Sequence, residues 1–271
     1  MAEAPLIDIR NATIWRGNTR VFDELTLTIA RHERVAILGP NGSGKTTLLK
    51  TINRELYPVD REGSWVRILG HERWNVWELR RHIGIVSQDL QQRYRPATTA
   101  LDVVLSGFLS SIGIHGLLGE RISDERIAAA RGILEELGIA DLADIPLRAM
   151  STGQQRRCLL GRALVHRPDT LILDEPTSGL DFAASFDYLA RIRALARDGR
   201  NILIVTHHLN EIPPEVDRVV VLDRGTIAAD GPKASVLTSE LLSRVYGTRI
   251  AVAEIAGYYL AYPGHEDAPK T

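Results

Sequence analysis

The chain is 271 residues long, 44% hydrophobic and 25% charged, a balance that fills a core and excludes an intrinsically disordered polymer. Its 33 basic and 34 acidic side chains leave a net charge of −1, which excludes a general electrostatic attraction to nucleic acid or acidic lipid. The length admits one large domain or two modest ones.

The single cysteine, Cys158, cannot take part in an internal disulfide framework and fits a reducing compartment as a small buried hydrophobe. Met1 to Arg10 lacks a basic region followed by an apolar run, so no secretory signal is expected. No window reaches the ~18 consecutive apolar residues of a membrane span.

In chain order, Leu6–Arg10 alternates as a strand, Gly17-Asn18 marks a turn, and Leu25–Ile29 alternates again. Val35–Leu38 is a continuous apolar run, as in a strand covered on both faces. Gly39-Pro40-Asn41-Gly42-Ser43-Gly44 follows, and a helical pattern starts at Lys45. From about Gln88 to Val165 the texture is helical. One helix is capped near Ser123 and stops near Gly138, and another runs from about Gln154 to Arg167, before Pro168. Leu171–Leu173 then reads as a buried strand, Phe182–Arg197 as a helix closed by Gly199, and Ile202–Val205 as a strand. Val219–Leu222 and Thr226–Ala229 flank the hairpin signal Asp223-Arg224-Gly225. Residues around Gly257 predict a terminal hairpin, and the polar tail from His265 is expected to be loose. Strands alternating with helices argue for an α/β core with a largely parallel sheet.

Gly39 to Thr46 spells G-x-x-x-x-G-K-T between a strand and a helix, the context in which this string cradles phosphate. Glycines let backbone N–H groups curl around phosphate oxygens, and the helix N-terminus adds partial positive charge. In that chemistry Lys45 reaches the β- and γ-phosphates and the Thr46 hydroxyl holds Mg²⁺. A glycine turn without a ligand is the bland alternative. Asp174 and Glu175 end the buried strand Leu171–Leu173. An Asp there can hold Mg²⁺, and a Glu one residue later can orient or deprotonate an attacking water. A solvated pair of acids is the alternative reading of these two alone.

These residues together resemble the nucleotide-binding subunits of ATP-binding-cassette (ABC) transporters, in order and spacing, from about Leu6 to Lys233. Gly39, Pro40, Asn41, Gly42, Ser43, Gly44, Lys45, Thr46 and Thr47 resemble the Walker A loop. Asp174-Glu175-Pro176-Thr177-Ser178-Gly179-Leu180-Asp181 looks like Walker B running into the D-loop. Gln88 stands where the family has its Q-loop glutamine, a metal-side and catalytic position; His207 resembles the switch histidine, and Trp15 lies where an aromatic stacks on adenine. Ser151-Thr152-Gly153-Gln154 resembles the signature motif that separates ABC proteins from other P-loop ATPases. Two departures stand out: Thr152 replaces the more common glycine, and His32 replaces a glycine before Glu33.

The resemblance implies an α/β fold with a P-loop NTPase (RecA-like) core, a small antiparallel β subdomain and an inserted α-helical signature subdomain. It implies a single ATPase domain over residues 1–247, its helical part about 88–167, and a C-terminal extension over 248–271. It implies hydrolysis of ATP with Mg²⁺, and a head-to-tail pair in which Ser151, Gly153, Gln154 and Asp181 meet the nucleotide of a second copy. Partners then include a separate permease and, for an importer, a substrate-binding protein, with no nucleic acid. The expected location is cytoplasmic, peripheral on the inner face of the membrane. Tyr94 and the apolar stretch Leu101–Gly113 are expected to offer a coupling surface to the permease, or else to pack internally. The alternative is a soluble ABC ATPase acting on nucleic acid, ribosome or protein complexes; a single phosphate loop, no heptad insertion and a neutral charge argue against it.

Overall fold

The computed structural model describes residues 3–114 and 122–264. They form two compact units, one running to Trp74 and resuming at Asn201, the other spanning Asn75–Arg200.

The first unit opens with β1 (Ile7–Arg16) and β2 (Thr19–Ile29), antiparallel across the Gly17-Asn18 turn. Ile7, Ile9, Ala12 and Ile14 are all fully buried. That change of parity is possible because the register shifts between Ile9 and Ala12, with Asn11 at φ 45°. One extra residue keeps both halves of the strand facing the same core. In β3 (Val35–Leu38) every residue is buried. The glycine-rich loop leads into α1 (Lys45–Ile52), and β4 (Trp65–Ile68) pairs antiparallel with β1 to complete a small sheet ordered β2-β1-β4.

The second unit contains α2 (Val76–His82), β5 (Ile83–Val86), α3 (Gln88–Gln92), α4 (Ala100–Phe108) and α5 (Asp124–Glu136). It continues with α6 (Thr152–Leu164), β6 (Thr170–Asp174) and α7 (Phe182–Arg197). Each of these helices starts on a side-chain cap, from Asn75, Ser87, Thr99, Ser123, Ser151 and Asp181 in turn. Close packing of α4 on α6 depends on two glycines. A Cβ on Gly107 would lie 2.4 Å from the Arg162 carbonyl oxygen, and one on Gly161 would lie 3.1 Å from Val104 Cγ2.

One expectation needs correction here. The signature helix begins at Thr152, two residues before Gln154, and ends at Leu164, because Ser151 supplies a cap and the backbone turns helical directly after it. Of the two readings of Leu101–Gly113, Leu101, Phe108 and Ile112 stay half-buried, and internal packing holds for Val103, Val104, Leu105 and Leu109, which are buried. They fill the seam of α4 with α5 and α6, and the Tyr94 hydroxyl is spent inside on Ser106 Oγ at 2.7 Å.

The chain returns to the first unit with β7 (Asn201–Thr206), β8 (Arg218–Asp223) and β9 (Thr226–Pro232). There β7 and β8 flank β3 in parallel, and β9 pairs antiparallel with β8. The nearly unbroken burial of β3, β7 and β8 is what a strand covered on both faces requires. Last come α8 (Lys233–Val236), α9 (Ser239–Tyr246) and a hairpin of β10 (Ile250–Ile255) with β11 (Tyr258–Pro263). Its turn residues Ala256 and Gly257 both have positive φ, 52° and 80°, the twist that two-residue hairpin turns favour. The tail from His265, expected to be loose, lies outside the described residues. Among the described residues no helix is long and apolar enough to cross a membrane.

Candidate nucleotide site

In the first unit the loop between β3 and α1 is held tightly by its neighbours. Gly39 is buried against the β8 end, where a Cβ would lie 2.3 Å from the Leu222 carbonyl oxygen and 2.7 Å from Ser43 Oγ. The Ser43 N–H closes a turn onto the Pro40 carbonyl at 3.2 Å, and the Gly225 N–H donates to the Ser43 carbonyl at 3.1 Å. Gly44 caps α1 at φ 111°, ψ −2° and offers no side chain to its first N–H groups. In contrast to the helices of the second unit, this N-terminus carries no side-chain cap. Lys45 is buried, and its Nζ donates to the carbonyls of Gly39 at 2.7 Å and Pro40 at 3.0 Å. The Ser43 hydroxyl is buried with no hydrogen-bond partner, a group that an anionic ligand in the loop would satisfy. Asn41, Gly42 and Thr46 are exposed along the rim, while Thr47, in the first turn of α1, is buried.

Two further sequence-predicted residues belong to this unit. The parallel register Leu38↔Thr206 brings the end of β7, and hence His207, beside the start of the glycine loop. Adjacent histidines at a strand end are expected to point apart. Here the chain leaves the strand at His207, and the His207 and His208 rings lie only 3.8 Å apart at 40°. Trp15, at the far end of β1, is 44% exposed and shares a shallow depression with Thr13, Arg20 and Val59. Its ring lies at the surface of the small sheet.

The second unit carries the others. The register Val86↔Leu173 sets the ends of β5 and β6 side by side, so Ser87-Gln88 and Asp174-Glu175 emerge at the same edge. Gln88, the first residue of α3, is exposed, and Asp174 and Glu175 are half-buried. Glu175 takes φ 46°, an uncommon backbone state for a non-glycine residue that recurs at functional sites. The turn after it closes through the Ser178 N–H on the Glu175 carbonyl at 3.2 Å. Asp181 then caps α7 by accepting the Ala184 N–H at 2.8 Å.

Ser151 and Gln154 form a reciprocal capping box. The Ser151 N–H donates to Gln154 Oε1 at 2.8 Å and the Gln154 N–H to Ser151 Oγ at 3.2 Å. Gly153 is buried, and a Cβ on it would lie 3.1 Å from Ala184 Cβ. The starts of α6 and α7 therefore abut, bringing Ser151 and Asp181 to one edge of the unit. Gln91 Nε2 donates to Gln155 Oε1 at 2.8 Å, which ties the helix after Gln88 to the signature helix.

Sequence reasoning passed over Arg156. It is fully buried on α6, and its Nη2 donates to the Ser178 carbonyl at 3.2 Å, between Glu175 and Asp181. A lone arginine one turn into a helix carries no periodic signal, and only a helix known to be buried on that side would have exposed it. Among the described residues no cluster of three or more His, Cys, Asp or Glu could hold a metal ion.

The family model described as ABC transporter matches residues 22–178, more than half of the chain. This chain belongs to the ABC transporter ATP-binding family. The Bacillus subtilis (strain 168) "Uncharacterized ABC transporter ATP-binding protein YlmA" is 36% identical over 252 residues, 91% of this chain and 93% of that protein. The "Hemin import ATP-binding protein HmuV" of Bradyrhizobium diazoefficiens is 31% identical over 267 residues, 95% of this chain and 94% of its own. Among solved structures, cbiO1 from Clostridium perfringens, part of the ABC transporter complex cbiONQ, is 26% identical with a TM-score of 0.70, covering 89% of this chain and 94% of cbiO1. Membership makes the chain an ABC-type ATPase with a P-loop NTPase fold.

Proposed function

We propose that this ABC ATPase drives a binding-protein-dependent importer, working as a head-to-tail pair with ATP between the copies and a separate permease in the membrane. The observation that carries the reading is the contrast between two helix N-termini. α1 opens uncapped onto a loop with an unsatisfied buried hydroxyl, Ser43. α6 starts on the capped, outward-facing Ser151, suited to the γ-phosphate held by another copy. Import as the direction rests on relatives such as the hemin import protein. The chain then sits on the inner face of the cell membrane when bound to its permease.

In this mechanism Gly39–Thr47 wrap the phosphates, Lys45 turns from its two carbonyls toward the β- and γ-phosphates, and the Trp15 ring stacks on the adenine. Glu175 orients a water for in-line attack and accepts its proton as the bond from the γ-phosphorus to the bridging oxygen breaks. His207 and Lys45 stabilise the charge that develops on the phosphoryl oxygens. Of the oxygen donors that suit Mg²⁺, the first unit supplies the Thr46 hydroxyl and the second the Asp174 carboxylate and the Gln88 amide oxygen. When bound, Mg²⁺ would supply charge neutralisation to the phosphates.

The test is Glu175→Gln. With ATP this variant should bind nucleotide, release no phosphate and double its mass by light scattering, whereas the parent hydrolyses ATP and returns to monomer. A Glu175→Gln protein that turns over at the parental rate would overturn the assignment.

A further inference from the structure

The β3–β7 ladder ends at Leu38↔Thr206, so the peptide that carries the His207 ring lies just beyond the sheet. It is fastened from elsewhere. The Thr206 hydroxyl bonds the Glu211 carboxylate within a fully buried pair, and the His208 N–H donates to Thr206 Oγ1 at 2.9 Å. The Tyr246 hydroxyl, at the last residue of α9, donates to the His207 carbonyl at 3.4 Å.

The helix that carries Tyr246, α9, is anchored by the C-terminal hairpin. Ser243 Oγ donates to the Ile250 carbonyl at 3.1 Å and accepts the Ile250 N–H at 2.9 Å, and the Val252 N–H donates to Ser239 Oγ at 3.0 Å. The other end of the hairpin is pinned by Lys233. Its Nζ donates to the carbonyls of Pro213 at 3.2 Å, Pro214 at 3.3 Å and Gly257 at 3.2 Å. A Cβ on Gly257 would lie 3.0 Å from Pro214 Cβ, so the hairpin turn rests directly on the segment downstream of His207. Residues 239–264 thus form a bracket that grips this segment at His207 and again at Pro213-Pro214.

We infer that Tyr246 is a positioning residue for His207, and that the C-terminal hairpin serves the ATPase site by holding the backbone from which that ring projects. This rests on the proposed role of His207 in hydrolysis. Its physical basis is the steep dependence of rate on placement, since a misplacement of ~1 Å can cost about 100-fold.

The experiment uses the full chain and follows ATP hydrolysis by the parent, Tyr246→Phe, His207→Ala and the double variant, with the slow ones measured in single turnover. Tyr246→Phe keeps the ring and removes only the donor. It should lower kcat roughly 3- to 10-fold, the effect of losing one hydrogen bond, and leave KM for ATP within about twofold. On the His207→Ala background the same change should alter the rate by less than about 1.5-fold, because no ring is left to position. Parental kcat in Tyr246→Phe beside an inactive His207→Ala would overturn the inference and leave the role of His207 standing. An equal fractional loss in both backgrounds would also overturn it, by showing that the hydroxyl acts on the fold at large. Parental turnover in His207→Ala would remove the role of His207 and this inference with it.

Discussion

Gly44→Ala tests whether the phosphate loop is held by its neighbours as tightly as the geometry requires. Gly44 sits at φ 111°, ψ −2°, outside the states an L-residue adopts readily, and such backbone strain costs about 1–3 kcal/mol. The new Cβ would lie 2.6 Å from Phe22 Cζ, 2.9 Å from Phe22 Cε1 and 3.3 Å from Val21 Cγ1. Phe22 is fully buried, so its ring has no outward escape, and overpacking of this kind adds about 1–3 kcal/mol. The sum is roughly 2–6 kcal/mol of lost stability. Gly42 is the internal control. It has φ 81° and open space where a Cβ would go, so Gly42→Ala carries only the backbone penalty of about 1–2 kcal/mol. Urea unfolding of the two variants separates the effects, provided the slope of the transition is unchanged. Phe22→Leu removes the two ring atoms nearest the intruding methyl, so a double-mutant cycle with Gly44→Ala should show a favourable coupling of about 1 kcal/mol or more. Equal midpoints for Gly42→Ala and Gly44→Ala, with no coupling to Phe22, would refute the packing argument.

Burial pushes the Cys158 thiol up to about 12, so at about pH 8 only ~1 in 10,000 of these groups is a thiolate. A thiol reagent should leave the native chain unlabelled and react stoichiometrically once denaturant is added; rapid labelling of the native chain would contradict the burial of α6. His166 is held below its usual 6.5 by desolvation, with the positive charge of Arg81 acting in the same direction. The unfolded chain therefore takes up a proton near 6.5 that the native chain accepts only at lower pH, and stability falls as pH drops through that window. Replacing His166 by Leu should flatten the loss of denaturation midpoint between about pH 7.5 and about pH 5.5, and an unchanged slope would assign the loss to other groups.

Much of the core architecture was legible because its signals are local. Val35–Leu38, Leu171–Leu173 and Val219–Leu222 declare buried strands by unbroken apolar runs, and Asp223-Arg224-Gly225 declares a turn whose two positive-φ residues are Arg224 and Gly225. The site residues announced themselves through chemistry at fixed spacing, as in Gly39 to Thr46. What stayed hidden depends on partners distant in sequence. Val103 and Val104 look the same on paper whether they face a permease or Gly161, and only the close approach of α4 to α6 decides between them. Arg156 reads as a surface arginine until the loop at Ser178 is laid over it. Tyr246 lies 39 residues from the histidine whose carbonyl it reaches, beyond any local pattern.

The departure at Thr152 can be understood on the same footing. Thr152 is the first residue of α6 and is exposed, so within its own unit a side chain there has solvent to occupy. One residue later the situation reverses. Gly153 is buried, and a Cβ on it would lie 3.1 Å from Ala184 Cβ, and Ala184 is the residue whose N–H holds the Asp181 cap. A side chain at 153 would require the start of α7 to give by a few tenths of an ångström, beside both Ser151 and Asp181. The chain therefore keeps glycine where its own packing demands it and gives it up where only an approaching partner would notice. The consequence of Thr152 is confined to what meets the N-terminus of α6. In the proposed pair that is the γ-phosphate of the second copy, where one more hydroxyl and methyl adjust the closeness of approach without loosening the helix that makes it.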